Sequence, residues 1–562
     1  MNVKKLPNGI SNFAELITNN YYYVDKTEYI EKLENYSNRN IFFLRPRKFG
    51  KSLFTDTLSC YYDVNKKDKF ETLFQNTYIG KNPTKEKNSY HILKFNFSGI
   101  DTQDIESTMK SFKNEVLRKI EDFITRYELD FYLNQEMEAE DIIGDLYIAF
   151  KNQKPNQKIY VLIDEYDHFA NELLSFNFEG FKKVVTKNGK VRKFYEKLKE
   201  GTESVVGRIF ITGVAPITLD GMTSGFNIAQ DLSQNLSFHS MMGFNEKEIK
   251  EIMVSQEISE EKQTELLPIM KENYDGYMFH REATEKLYNS NMSLYFLNEY
   301  AQFRKLPDKM MDMNIASDYS KIGNMLKLCT GEKKLELLEK TISGEEIATD
   351  IVQKFNPEID FGDREMLSML YYLGYLTMSG DEFGIPLLKV PNVVMKEIYA
   401  DYFMQIIKQE TNLSMEPSYI ELLREIALEG KIDKVIQVLK EYLSNLSNRD
   451  FIKSDEKYLK ILFYSIAMNF SSAYWIKSEP EYMRNYPDIL LLPKETEKNY
   501  CAVMIEFKYL KKGEKRLLKE KQKEAREQIN GYAEKEEMKK IKNLKKYAVV
   551  AVVDEIYVEE VD

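Results

Sequence analysis

Ile41-Phe42-Phe43-Leu44-Arg45-Pro46-Arg47-Lys48-Phe49-Gly50-Lys51-Ser52 is the stretch on which the reading of this chain turns. Four apolar residues in a row are short for a helix and suit a strand covered on both faces. The basic segment after them breaks the pattern, and Gly50-Lys51-Ser52 opens onto a helical run, Leu53–Tyr62. Strand, loop and helix in that order have the spacing of a Walker A loop, with Arg45 where the first glycine usually stands. Gly50 lets backbone N–H groups approach a phosphate at the helix N-terminus. Lys51 can reach the outer phosphates, and the Ser52 hydroxyl can complete the coordination of Mg²⁺. A basic strand-to-helix turn would carry the same residues, so the motif needs support from elsewhere in the chain.

Ile159–Ile163 supplies it, a second apolar run that ends in Asp164-Glu165. In a Walker B strand Asp164 holds the Mg²⁺ and Glu165 orients or deprotonates the attacking water. Two carboxylates at a strand end can also cap the following helix. The pairing with Gly-Lys-Ser favours the nucleotide reading, because strands of one sheet bring both motifs to its C-terminal edge. Ile92–Phe97 and Ile209–Ile211 read as two further buried strands. The second runs into Thr212-Gly213, where Thr212 is either a γ-phosphate sensor or a turn residue. Arg45, Arg47, Gly50, Lys51, Ser52, Asp164 and Thr212 are the nucleotide-binding candidates. Helices such as Ile105–Arg126 separate the strands, and that alternation predicts an α/β fold, a parallel sheet with flanking helices. Asp25-Lys26-Thr27-Glu28 reads as a capping box with Asp25 at the N-cap.

From about Leu232 to Asn445 the pattern turns helical, with periodic segments near Glu246–Met253, Arg364–Tyr372 and Tyr419–Leu428. The last 110 or so residues return to mixed α and β. Domains are therefore expected at 1–230, 231–449 and 450–562, consistent with a 562-residue chain too long for one core. In the C-terminal part a helix, Glu456–Met468, precedes strands Asp488–Leu492 and Ala502–Phe507, and Tyr547–Val553 closes the domain. Alternation along Ala502–Lys508 puts Met504, Glu506 and Lys508 on one face. A turn around Pro493–Asn499 then lets Asp488 and Glu506 face one spot with Lys508 beside them, and Glu456 could supply a third carboxylate. A surface salt bridge between Glu506 and Lys508 is the plain alternative. Two carboxylates ~4 Å apart repel by roughly 4 kcal/mol at an effective dielectric near 20. A divalent cation removes that repulsion, activates a water, and leaves Lys508 to stabilise developing charge on a phosphodiester.

Composition narrows the classes. With 43% hydrophobic and 30% charged residues the chain is that of a folded protein. Its three cysteines (Cys60, Cys329, Cys501) are too few and too scattered for a disulfide framework or a CxxC zinc site, and point to a reducing cytoplasm. Four scattered histidines leave oxygen ligands and a hard cation as the expected metal chemistry. The N-terminal stretch MNVKKLPNGISNF lacks the apolar core of a signal peptide, and no run approaches the length of a membrane span. The net charge is −11, yet Glu506 to Lys546 carries 15 Lys+Arg against 8 Asp+Glu, a local excess of +7 that suits a phosphodiester partner.

Together these stretches resemble the AAA-ATPase-like proteins with a C-terminal PD-(D/E)XK nuclease domain, widespread in bacteria. The resemblance runs over nearly the whole chain: VDKT (Val24–Thr27), RPRKFGKS (Arg45–Ser52), LIDEYD (Leu162–Asp167), TGVAPITLD (Thr212–Asp220) and MGFNEKEI (Met242–Ile249). It continues through YDGYMF (Tyr274–Phe279), LGYLT (Leu373–Thr377), YPDILL (Tyr486–Leu491) and IEFKY (Ile505–Tyr509). Arginine in place of the first Walker glycine is usual in that family. The resemblance implies a P-loop NTPase, a helical lid or winged-helix-like middle region and a restriction-endonuclease-like domain. It also implies Gln528, in AREQINGY, beside the nuclease centre, and Glu456 as the first-helix acid, with Asp455 adjoining it. The expected cofactors are ATP and Mg²⁺, with Mn²⁺ an alternative at the nuclease site. Nucleic acid, DNA before RNA, is the expected partner; a homo-oligomer is left open and a membrane is not expected. The expected activities are ATP hydrolysis and Mg²⁺-dependent phosphodiester hydrolysis, in defence or mobile-element biology. The rival is a nucleotide-switched regulatory or DNA-binding protein without nuclease activity.

Overall fold

Burial on both faces is what makes the apolar runs strands. The computed structural model of the chain describes residues 3–176, 190–217, 227–312, 331–355, 362–411, 418–446, 455–478 and 486–562. β1 (Asn40–Leu44) is buried from Ile41 onward, and the loop after it leads into α1 (Lys51–Tyr62). β2 (Tyr90–Asn96) is followed by α2 (Ile105–Tyr127), whose N-cap Asp104 accepts a hydrogen bond from Ser107 N. β3 (Lys158–Asp164), β4 (Val206–Gly213) and the short β5 (Gln230–Asp231) complete the sheet. The order is β2-β3-β4-β1-β5, and every neighbour pair is parallel. β4 therefore lies between the two motif-bearing strands, so the loop after β1 and the end of β3 open on one sheet edge.

The chain forms two compact units, one built on Met1–Pro307 and Ala348–Asn392, the other on Val393–Asp562 with Thr330–Ile347. In the first, helices Glu246–Ser255, Glu260–Tyr274, Ser290–Phe303 and Asp363–Leu373 follow the sheet, and β6 (Thr377–Glu382) pairs with β7 (Ile385–Lys389) as an antiparallel hairpin. The Asp25 stretch differs from expectation. The helix there is Glu28–Asn35 with Thr27, not Asp25, at the cap position. Asp25 Oδ1 instead accepts from Thr27 N and Thr27 Oγ1, and its Oδ2 from Tyr78 N. A local turn bond and a distant amide outcompete the capping box.

In the second unit α3 (Glu456–Ala467) precedes β8 (Tyr474–Ser478), β9 (Ile489–Pro493) and β10 (Ala502–Leu510); α4 (Leu518–Ala533) leads to β11 (Leu544–Val552) and β12 (Glu555–Val561). The sheet runs β12-β11-β10-β9-β8, with β10 and β11 parallel and the other pairs antiparallel. Met504 packs with Ala525 and Ile529 of α4 on one face, while Phe507 meets Phe463 of α3 on the other, ring centroids 5.2 Å apart. β8 and β12 extend the sheet beyond the strands legible in sequence. Lys477 and Ser478 cut short the apolar run of the first, and Glu555, Glu559 and Glu560 break that of the second. Among the described residues no helix is long and apolar enough to cross a membrane.

Candidate nucleotide and nuclease sites

Gly50 sits at φ +91°, the left-handed region that side chains rarely adopt, and it turns the chain from the loop into α1. The loop is tied down from outside: Gly243 N donates to Phe49 O, Asn291 N to Lys48 O and Asn289 Nδ2 to Arg47 O. Lys51 Nζ is buried and donates to Arg45 O and Pro46 O at 3.0 and 2.9 Å. Burial lowers its pKa, against the opposing pull of Glu165, Asp164 and Asp167. Asp164 is buried too, which raises its carboxyl, while a hydrogen bond with Ser52 works the other way. The structure thus joins Ser52, at the start of α1, to Asp164, at the end of β3. A pocket of about 440 Å³ opens over the loop, lined by Arg47, Lys48, Gly50, Lys51, Ser52 and Glu165, with Tyr22, Met242 and Phe244 on its walls. A basic loop on one side and apolar surface on the other suit a nucleotide.

Arg45 and Thr212 are placed differently. The Arg45 guanidinium is buried and donates to four backbone carbonyls, those of Leu44, Ser233, Phe238 and His239, between the rings of Phe43 and Phe279. Thr212 Oγ1 is buried and donates to Phe43 O at 2.7 Å, linking β4 to β1. Neither lines the pocket. Of the TGVAPITLD stretch, Thr218–Asp220 lie outside the described residues.

Two residues not singled out from the sequence hold this site. Asp167 is buried and accepts from Val214 N and Ala215 N, which fastens the turn after β3 to the turn after β4. A Cβ on Gly213 would come within 2.2 Å of Asp167 Oδ1, so this approach requires glycine. His168 lies between Glu165 and Glu172, Nδ1 at 3.2 Å and Nε2 at 3.5 Å. Burial alone would lower the His168 pKa, but the two carboxylates raise it to about 9. Burial alone would raise Glu165, but His168, Lys51 and Arg47 bring it down to about 2. Glu165 also has φ +50°, an uncommon conformation for a side-chain-bearing residue and one found at functional sites.

In the other unit the register Ile489↔Ile505 carries Asp488 opposite Glu506. Asp488, Glu506 and Lys508 are all buried. Asp488 N donates to Glu506 Oε2 at 3.4 Å, and Phe507 N to Asp488 Oδ2 at 2.7 Å. Lys508 Nζ donates to Glu506 Oε1 at 2.9 Å and lies 3.7 Å from Glu456 Oε1. Asp455 is the N-cap of α3 and accepts from Tyr458 N, which leaves Glu456 as the acid turned toward the cluster. Lys460, also not singled out from the sequence, lies 2.6 Å from Asp488 Oδ1 and 3.0 Å from Glu456 Oε1. Gln528 is on α4 with Oε1 buried and without a hydrogen-bond partner among the described residues.

Burial raises both carboxyls of the pair: for Asp488 against the pull of Lys460, for Glu506 with the Asp488 charge adding to the rise. Such a pair gains from a hard cation, and its oxygen donors suit Mg²⁺ or Mn²⁺. As they stand, no three His, Cys, Asp or Glu side chains among the described residues form a group that could hold a metal ion. Lysines bridge these carboxylates instead.

A parallel sheet with its phosphate loop and acidic strand end defines a P-loop-type nucleotide-binding domain. A mixed sheet presenting Asp, Glu-x-Lys and a first-helix Glu defines a nuclease-type domain. Residues 7–223 match the family model of the predicted AAA-ATPases, AAA-ATPase-like, and residues 454–560 match that of the PD-(D/E)XK nuclease superfamily, so the chain carries one domain of each. It is also 28% identical over 254 residues to an uncharacterized protein in the vnfD 5′ region of Azotobacter chroococcum mcd 1. That match covers 44% of this chain and 45% of the relative, so the chain spans less than half the length of the curated relative it matches.

Proposed function

We propose that the protein binds and hydrolyses ATP in its N-terminal domain and cleaves nucleic acid, DNA first, in its C-terminal domain, with nucleotide turnover governing the cleavage. The observation that carries the reading is the convergence of Asp488, Glu506 and Lys508, 18 and 20 residues apart in sequence, at one buried point. A divalent ion bound there would supply a Lewis acid and an activated water. Asp488 and Glu506 would hold it, and the Lys508 ammonium, fixed on Glu506 Oε1, would stabilise charge developing on the phosphate oxygens. In the N-terminal domain Lys51 would neutralise the outer phosphates, Ser52 and Asp164 would hold Mg²⁺, and Glu165 would orient the water. Defence or mobile-element biology is the setting that such a pairing suits. The test is incubation of the purified full-length chain with plasmid and single-stranded DNA, with Mg²⁺ or Mn²⁺ and with or without ATP. Metal-dependent cleavage, absent in Asp488→Ala, is expected. Equal cleavage by the variant would leave the nucleotide-switched regulatory reading in its place.

A further inference from the structure

Two lysines, Lys508 and Lys460, hold the carboxylates of the cluster. α3 sets Glu456 and Lys460 one turn apart on the same face, so both side chains reach one point above β9. There Lys460 Nζ joins Glu456 Oε1, at 3.0 Å, to Asp488 Oδ1, at 2.6 Å. The other Asp488 oxygen is taken by Phe507 N, and Glu456 Oε1 is shared with Lys508. Glu456, Lys460 and Asp488 all line a pocket of about 530 Å³, together with Lys457, Tyr464 and Ser478. Glu506 and Lys508 do not line it and are only 3% and 6% exposed. Of the two lysines that hold these carboxylates, Lys460 is therefore the one that faces the pocket.

Two-metal phosphodiesterases place their ions roughly 3.5–4 Å apart, shared between carboxylates. Here Asp488 has two flanks. Toward Glu506 it faces a second carboxylate across a strand pair; toward Glu456 it faces an ammonium. A divalent ion entering between Glu456 and Asp488 would have to displace a like charge held by two carboxylates. We propose that Lys460 is a built-in substitute for a second metal ion. The centre then takes a single divalent cation, held by Asp488 and Glu506, while Glu456 serves the two lysines and is not a ligand. Lys460 supplies, as a fixed charge on the pocket floor, part of the neutralisation that a second ion provides elsewhere. This rests on the nuclease reading above.

The experiment counts ions, so it does not depend on cleavage. Mn²⁺ binding to the full-length chain without nucleotide is measured by calorimetry and electron paramagnetic resonance, counting the ions that Asp488→Ala loses. Wild type and Lys460→Arg should bind one such ion, with the spectrum of an isolated Mn²⁺. Lys460→Met, which keeps the length of the side chain and removes the charge, should bind two with an exchange-coupled spectrum. Two ions in wild type, or one in a natively folded Lys460→Met, would overturn the proposal. Should Lys460→Met not fold, Glu456→Gln decides: retention of the wild-type ion and affinity is expected, and its loss overturns the assignment. Absence of any ion from wild type, together with absence of cleavage, would remove the nuclease reading itself and this inference with it.

Discussion

His168 Nδ1 lies 3.2 Å from Glu165 Oε2, a contact made across one turn just after β3. A protonated imidazole there fixes the carboxylate that is proposed to orient water, and Glu172 holds the imidazole from its other side. The folded-state pKa of His168, about 9, lies above its ordinary value near 6.5. Stability from this contact is therefore complete below that ordinary value and is lost as pH rises through about 9. Glu165, held near 2, contributes above the ordinary carboxylate range and loses its share only as pH falls toward 2. The melting-temperature gap between wild type and His168→Gln should thus be wide at neutral pH and shrink toward pH ~10. A gap independent of pH would show that the histidine is neutral and merely packed.

The phosphate loop gives a second prediction. Lys51→Ala should abolish ATP turnover, whereas Glu165→Gln should bind ATP and lose on the order of 10²–10⁴-fold in hydrolysis, the usual range for a general base. Fluorescent-nucleotide binding and phosphate release measured on the same preparations separate the two effects. Turnover at the wild-type rate in Lys51→Ala would contradict the placement of the nucleotide.

Arg45 and Arg47 stand two residues apart and should behave oppositely. Arg45 satisfies four backbone carbonyls in the interior. Arg45→Met strips those carbonyls of a donor and should destabilise the chain by about 3 kcal/mol, from ~1–3 kcal/mol per stranded group with partial relaxation. Arg47 lines the pocket. Arg47→Ala should weaken nucleotide binding and shift denaturant unfolding far less than Arg45→Met does.

The contrast between these arginines shows what the sequence can and cannot convey. β1 and β3 are legible because a strand buried on both faces must be apolar throughout, and their polar ends then mark the sheet edge. The alternation along Ala502–Lys508 likewise puts Glu506 and Lys508 side by side, where the structure has them 2.9 Å apart. Arg45 reads as part of the loop because a basic residue beside Gly-Lys-Ser looks like a phosphate ligand. Only the path of the chain from Ser233 to His239 shows the carbonyls that claim it. Lys460 is hidden for a related reason. Glu456 and Lys460 have the i,i+4 spacing of an ordinary helix-surface pair, and Asp488 reaches them only through the tertiary fold. His168 leaves a usable trace, since Glu165, His168 and Glu172 follow the i,i+3 and i,i+4 spacing of one helix face.

The basic stretch after β10 offers a prediction about nucleic-acid contact. Lys511, Lys512 and Lys515 are exposed, and Lys515 pairs with Glu555 at 2.6 Å. If they meet phosphates, affinity falls steeply with salt. Their charge reversal then flattens the log–log slope on duplex DNA by about 0.9 for each phosphate no longer neutralised. Fluorescence anisotropy across a salt series reads this directly. A slope unchanged by the triple reversal would mean that the segment is only solvated.

The last prediction separates holding an ion from stabilising a transition state. Asp488 and Glu506 are the proposed holders of the ion, so Asp488→Ala and Glu506→Ala should each stop cleavage nearly completely, as chelation by EDTA should. Lys508 donates to Glu506 Oε1 and to Phe507 O, and its ammonium is held protonated, since burial works against the charge but Glu506, Glu456 and Asp488 outweigh it. Its proposed work is done on charge that exists only as the phosphodiester is attacked. Lys508→Ala should therefore keep Mn²⁺ binding largely intact and lose on the order of 10²–10³-fold in rate, the scale seen when one transition-state donor is removed. The loss should fall on kcat more than on KM. Asp488→Ala and Glu506→Ala should fold, because removing one of two buried carboxylates relieves repulsion as well as breaking a hydrogen bond. Lys508→Ala leaves Glu506 without its ammonium and should melt lower than either. Joint loss of ion binding and rate in Lys508→Ala would instead make the lysine a positioning residue for Glu506, and the charge-stabilising role would pass to Lys460.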